Sequence, residues 1–186
     1  MKKFFLLSMA LLSIGFISCD DDHDDENESE LITTLVYTMA PSTGVPVIMT
    51  FKDIDGDGGK APAITTSGSL KSTETYNGSL VLLNESVNPA GDITQEIIAE
   101  DEAHQFFFEV SGALAGKVAI TYEDKDSENN PIGLKTKVKP SGIGTGKLKI
   151  TLRHEPNKKA AGVATGSIAN AGGETDLEVS FDVEVK

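Results

Sequence analysis

The alternation of apolar and polar side chains constrains the fold of this chain more than any other feature. In residues 177–185 every odd-numbered residue is apolar, and every even-numbered residue is Glu, Ser or Asp. Residues 118–122, 134–138 and 147–153 repeat this period of two. Because successive side chains of a β-strand point to opposite faces, the pattern predicts antiparallel strands with one face on a core and the other in water.

Further apolar stretches and turns extend this organisation along most of the chain. Additional candidate strands cover residues 31–39, 45–52, 73–84 and 105–110, with Gly-, Pro-, Asn- and Asp-rich turns at 124–131 and 140–146. About eight strands at this spacing predict an all-β domain, an antiparallel two-sheet sandwich of immunoglobulin-like or related topology, with a small barrel as the alternative. Asp92 and Gln95 form a capping box, which predicts one short helix around residues 93–103.

The N-terminal residues have the pattern of a lipoprotein signal peptide. Lys2 and Lys3 precede an apolar run at residues 4–17, and Ser18 stands directly before Cys19. The run is shorter than the roughly 20 residues of a membrane-spanning helix, so cleavage after residue 18 and lipidation of Cys19 are expected. An ordinary signal peptide with an incidental cysteine is the alternative. Cys19 is the only cysteine, which excludes an intrachain disulfide and a cysteine nucleophile elsewhere.

An acidic segment follows Cys19. Eight of the eleven residues from Asp20 to Glu30 are Asp or Glu, and removal of residues 1–18 would take the formal charge from −13 to −15. Such a run repels itself, so residues 19–30 are expected to form a disordered tether before a single domain at residues 31–186. This run resembles the surface-export signal of bacteroidete lipoproteins, which implies a domain on the outer surface of the outer membrane. A plain spacer on a periplasmic lipoprotein is the alternative. The negative charge argues against a nucleic-acid partner.

A second acidic motif has the spacing of a calcium-binding loop. Its three carboxylates, at positions 1, 3 and 5 of the loop, belong to Asp53, Asp55 and Asp57. Gly58 supplies the sharp turn at position 6, but Ile64 stands at position 12 in place of the usual bidentate Glu. Calcium binding would therefore need a distant carboxylate such as Glu74 or Glu85. An Asp/Gly-rich turn without a metal is the alternative.

Two histidines suggest a different metal site. His104 stands at the junction between the predicted helix and the strand that follows it, and His154 ends the strand at residues 147–153. If these ends meet, the two imidazoles with Glu155 or Glu100 would offer nitrogen and oxygen ligands suited to zinc or another divalent ion. His23 in the acidic segment would add an exposed ligand. The alternative is that the histidines are exposed or paired with a carboxylate.

Two features favour an interaction surface instead. Residues 129–154 contain six bases and no acid, and the alternation predicts that all six lie on the outer face of one hairpin. The bases are Lys135, Lys137, Lys139, Lys147, Lys149 and Arg153. Phe107 is expected to face outward between two core residues, covered by the predicted helix or by a partner. Lysines that protect a sheet against aggregation are the alternative explanation of the bases.

Five segments of the chain resemble a family of small bacteroidete lipoproteins labelled type 1 periplasmic binding fold superfamily protein. The segments are residues 53–59, 88–96, 104–108, 153–158 and 170–176. The resemblance implies ligand binding in the cell envelope. With no nucleophile motif such as Gly-X-Ser-X-Gly, the expected function is a non-enzymatic ligand-binding lipoprotein, for a divalent metal ion such as calcium or zinc or as an accessory to an outer-membrane receptor or transporter. An adhesin-like or structural interaction domain is the alternative.

Overall fold

The computed structural model describes residues 31–56 and 59–186 of the chain. The predicted signal peptide, the expected lipidation site Cys19, the acidic segment that follows it and Asp57 of the candidate calcium loop lie outside the described residues. In the described part of the chain, no helix has the length and apolar character needed to cross a membrane.

Nine strands, one α-helix and two short 3-10 helices make up the described residues. In chain order they are β1 (Thr34–Pro41), β2 (Val47–Lys52), β3 (Ala63–Thr66), β4 (Tyr76–Leu83), α1 (Ile93–Ala99), β5 (His104–Gly112), β6 (Val118–Tyr122), β7 (Lys135–Pro140), β8 (Gly144–His154) and β9 (Glu174–Val185). The 3-10 helices, Val163–Thr165 and Ile168–Asn170, lie between β8 and β9. All eight predicted strands are present. The structure has one strand more than the sequence predicted, β3. Its residues are largely exposed, so they do not show the alternation by which the other strands were recognised.

The strands form two antiparallel sheets. The larger has the order β3-β2-β1-β4-β7-β6 and the smaller the order β5-β8-β9, which confirms the predicted all-β sandwich. The segment after β3 connects the two sheets, because the Leu70 N–H donates to the Glu184 carbonyl at 2.9 Å and the Lys186 N–H donates to the Leu70 carbonyl at 2.8 Å. The free edge of β9 is thereby partly covered, which protects it from pairing with another chain.

The apolar faces of both sheets meet in one core. Leu35, Tyr37 and Met39 face inward from β1, and Phe106 and Phe181 face them from the smaller sheet. Burial of each large apolar side chain contributes about 1.5–3 kcal/mol relative to exposure, so this shared core is the main source of stability.

The helix begins as predicted and ends earlier. The Asp92 carboxylate accepts a hydrogen bond from the Gln95 N–H at 3.3 Å, and α1 then buries Ile93 and Ile97. It ends at Ala99 because the next residues form a turn that leads directly into β5.

The prediction of one basic hairpin face is wrong. β7 pairs with β4 and β6 in the larger sheet, whereas β8 pairs with β5 and β9 in the smaller sheet. Three of the bases, Lys137, Lys147 and Lys149, also form ion pairs with carboxylates. When a short connection joins two strands that both alternate apolar and polar residues, the sequence does not determine whether the strands pair in one sheet or belong to different sheets.

Phe107 is also not on the surface. Its side chain is fully buried, packed with Val163 and Ala171 in a second, smaller cluster. The cover is therefore the 3-10 region between β8 and β9, and not the predicted helix.

Candidate metal site

The two central histidines are neighbours across a strand pair. His104 is the first residue of β5, His154 is the last residue of β8, and the two are direct partners in the antiparallel register. Partners in such a pair place their side chains on the same face of the sheet. The imidazole rings stack, with centroids 4.8 Å apart and planes inclined by 12°.

Glu100 reaches the same point from the end of the helix. It caps the C-terminus of α1, and the turn that follows places it beside His104. One ligand atom each from Glu100, His104 and His154 lies within 4.8 Å of the other two. His104 is 1% exposed, His154 is half-buried and Glu100 is exposed. The three potential ligand side chains therefore extend from the interior to the surface, so that an ion could enter the site from solvent.

A backbone contact orients the His104 ring. Its Nδ1 atom lies 3.1 Å from the Glu100 carbonyl oxygen, and since a carbonyl only accepts hydrogen bonds, we assign the ring proton to Nδ1. The other nitrogen, Nε2, then carries a lone pair. A hydrogen bond from one ring nitrogen commonly fixes the orientation of a histidine that binds a metal through the other.

The sequence did not identify Asp176, which faces the Nε2 side of this ring. Its Oδ2 atom lies 4.0 Å from His104 Nε2, and its side chain is 4% exposed. Among the described residues no donor makes a hydrogen bond to this oxygen. Buried polar atoms are almost always hydrogen-bonded, so an unsatisfied carboxylate oxygen beside an imidazole lone pair is an unusual arrangement.

A β-bulge explains how Asp176 reaches the interior. Leu152 of β8 pairs with Leu177, but the next residue, Arg153, pairs with Thr175, so Asp176 is an extra residue of β9 with no partner in the register. In a regular strand it would share the outward face of Glu178. A bulge changes the direction of a side chain locally and is frequent beside functional sites.

Burial shifts the acid–base properties of the two buried groups in opposite directions. It lowers the pKa of His104, an effect that the neighbouring His154 reinforces and Asp176 opposes. Burial raises the pKa of Asp176, and the nearby histidines oppose this shift. A neutral imidazole is the form that binds a metal ion.

The donor set suits a zinc-type ion. Imidazole nitrogen and carboxylate oxygen are both zinc ligands, and two ligands at ~2.1 Å in a tetrahedral site lie about 3.4 Å apart. The observed limit of 4.8 Å is wider, so binding would draw the side chains together by rotation of the exposed Glu100 and the half-buried His154.

The other carboxylates predicted as metal ligands, as far as the structure describes them, do not belong to this group of three. Glu155 is exposed, has a φ of +48° and donates its N–H to the Ala103 carbonyl at 2.6 Å, and it is not one of the three converging groups. In the acidic loop, Asp53 Oδ1 accepts the Gly56 N–H at 3.1 Å and Asp55 Oδ2 accepts the Lys60 N–H at 2.8 Å. These bonds are typical of an Asx-type turn.

The two distant carboxylates considered for the calcium loop have other partners. Glu85 forms an ion pair with Lys52 at 2.9 Å and a hydrogen bond with Thr34, and Glu74 forms an ion pair with Lys71 at 3.2 Å. In residues 31–56 and 59–186, the cluster around His104 is the only group of three or more potential ligand side chains that converge.

Comparison of the chain with models of protein families, with curated proteins and with solved structures finds no match.

Proposed function

We propose that this protein is a lipid-anchored binding protein of the bacterial envelope whose β-sandwich domain holds one divalent transition-metal ion, with zinc as the best fit. The observation that carries the proposal is the convergence of Glu100, His104 and His154 to within 4.8 Å. Two imidazoles and a carboxylate select against calcium, which prefers six to eight oxygen ligands.

The N-terminal sequence supports attachment to the membrane. Cys19, preceded by Ser18 and a short apolar run, supports lipidation, and the acidic residues after it support a position on the outer surface of the outer membrane. A tethered domain of this kind would bind metal close to the cell and serve as an accessory to an outer-membrane transporter. The interaction-domain alternative lacks specific support, because the six bases lie on two sheets and Phe107 is buried.

Zinc titration of the full chain, purified in detergent, tests the binding proposal. We expect one tight site in the wild type and loss of that site in His104→Gln and His154→Gln. His23→Gln is the matched control, since it removes a histidine from the acidic segment and should leave the tight site intact. Equal zinc binding by the wild type and by the variants of His104 and His154 would refute the proposed site.

Thermal unfolding gives an independent readout of the same site. A ligand at a hundred times its dissociation constant stabilises the folded state by about 2.7 kcal/mol, which corresponds to roughly 5–11 °C for a domain of this size. Zinc should raise the melting temperature of the wild type, and calcium should not. A shift with calcium alone would instead direct attention to the loop at Asp53 and Asp55.

Metabolic labelling with a fatty acid tests the anchor. The wild type should incorporate the label and Cys19→Ala should not, because the thioether requires the cysteine sulfur. Digestion of intact cells with an added protease then reports the side of the membrane, since a surface-exposed domain would be removed and a periplasmic one protected.

A further inference from the structure

The strongest feature that the three-ligand site leaves unexplained is the carboxylate of Asp176. Its side chain is 4% exposed, and its Oδ2 atom has no hydrogen-bond donor among the described residues. Arg153 of the neighbouring strand uses its guanidinium group to donate to the Gly172 carbonyl and to Thr175. A buried carboxylate oxygen without a donor or a bonded cation is unfavourable.

A shared proton does not account for this arrangement. His104 Nε2 and Asp176 Oδ2 are 4.0 Å apart, beyond the range of a hydrogen bond between nitrogen and oxygen. The Nδ1 contact with the Glu100 carbonyl keeps the ring in this orientation. Two electron-pair donors that face each other at this separation leave room for a cation larger than a proton.

We infer that Asp176 is a fourth ligand of the metal ion, so that Glu100, His104, His154 and Asp176 close a tetrahedral site made entirely of protein side chains. The inference rests on the proposed function, because it concerns the same ion. The gap between His104 Nε2 and Asp176 Oδ2, 4.0 Å, exceeds the spacing of two ligands in a tetrahedral zinc site, about 3.4 Å, by well under 1 Å. Asp176 is not one of the three groups that converge to within 4.8 Å, so binding would also draw its carboxylate toward Glu100 and His154.

The position of Asp176 in a β-bulge is a second, independent observation that points to the same role. The bulge at Leu152 and Arg153 turns a residue inward that regular alternation would leave in solvent. A buried acid adds nothing to the packing of the core, so the bulge has no evident structural benefit. It does bring a carboxylate oxygen to the Nε2 side of the His104 ring.

Four protein ligands would hold the ion more tightly, and release it more slowly, than a site that keeps a position open to solvent. The ligands belong to the end of α1 and to β5, β8 and β9, so the ion would hold together one end of the smaller sheet. Two carboxylates would also neutralise the double positive charge of the ion within a partly buried site.

Competition titration with zinc and a chelator distinguishes this inference from the proposed function. Asp176→Asn keeps the size of the side chain and removes its charge, and we expect it to weaken zinc binding about tenfold to a hundredfold. Asp182→Asn is the matched control, because Asp182 lies on the same strand with a side chain that is 87% exposed; its zinc affinity should equal that of the wild type.

Cobalt substitution provides a direct readout of the first coordination shell. In Asp176→Cys, a thiolate at the position of the fourth ligand should produce a near-ultraviolet sulfur-to-cobalt charge-transfer band that the wild type lacks. If zinc binds the wild type tightly but Asp176→Asn binds equally well and Asp176→Cys gives no such band, Asp176 is not a ligand and the three-residue site stands. If the wild type binds no zinc, both the site and the fourth ligand are refuted.

Discussion

Replacement of Lys158 by Met should be among the most damaging single changes in the domain. Lys158 follows β8, and its Nζ atom donates to Asp126 Oδ2 at 3.0 Å and to the Asp101 carbonyl at 2.5 Å. The Lys158 and Asp126 side chains are 4% and 1% exposed. The Lys158→Met variant keeps the apolar stem but leaves the Asp126 carboxylate buried without its counter-ion.

The expected loss follows from that uncompensated charge. Breaking a buried ion pair by removal of one partner costs about 3–5 kcal/mol. The Asn130 N–H still donates to Asp126 Oδ1 at 2.8 Å, so we expect a value near the lower limit. At roughly 2–4 °C per kcal/mol for a domain of this size, a loss of about 3 kcal/mol lowers the melting temperature by roughly 6–12 °C.

Urea unfolding followed by circular dichroism measures this loss, because the chain contains no tryptophan to serve as a fluorescence probe. Lys159→Met is the matched control, since the neighbouring Lys159 makes an exposed ion pair with Glu128 at 2.7 Å and should lose less than 1 kcal/mol. The double variant Lys158→Met with Asp126→Asn removes both charges and should regain part of the stability. Equal losses for Lys158→Met and Lys159→Met would show that the buried pair is not a stabilising element.

Two further predictions concern acid and backbone strain. Burial alone would raise the pKa of Asp126, but hydrogen bonds from Lys158 and Asn130 hold this pKa below its usual range. The stabilisation by the Asp126 carboxylate is therefore present at neutral pH and is lost as the pH falls through the folded-state pKa. Urea unfolding of Asp126→Asn should accordingly show a smaller loss of stability at acid pH than the wild type. Gly172 and Gly173 both have positive φ, +61° and +67°. A Cβ at Gly172 would meet nothing within 4 Å, so Gly172→Ala should lose about 1–2 kcal/mol from backbone strain. A Cβ at Gly173 would overlap a backbone carbonyl oxygen at the end of β8, so Gly173→Ala should be less stable than Gly172→Ala in the same assay, and equal stability of the two variants would contradict the clash.

The period of two predicted the strands well because it reflects burial. Residues 179, 181, 183 and 185 are buried as the alternation requires, and the residues between them are exposed. The alternation does not indicate which strands pair with one another. β7 and β8 are joined by only three residues, yet they belong to different sheets. The same alternation fits a hairpin and a crossover, since each strand buries one face in either case.

The candidate site was only partly predictable, because the alternation of side chains does not determine which strands pair. His104 and His154 could be recognised as residues at two strand ends, but their meeting depends on the register of β5 against β8. Asp176 was inaccessible to sequence reasoning, because its inward direction arises from a bulge that breaks the period used to assign faces. Its position one residue before the regular alternation of β9 is the only signal in the sequence, and many acidic residues share that signal.

The proposed ion has an energetic consequence for this end of the smaller sheet, because the Asp176 carboxylate is buried there. A buried carboxylate oxygen without a donor lowers the stability of the folded domain. This oxygen faces His104 Nε2 at 4.0 Å, and a cation between the two atoms would satisfy it. Because binding to the folded state alone stabilises it, the proposed ion would convert this unfavourable group into a stabilising one. A sandwich without an ion would gain from an apolar residue at position 176, and this is the physical basis of our proposal that the Asp176 carboxylate binds a cation.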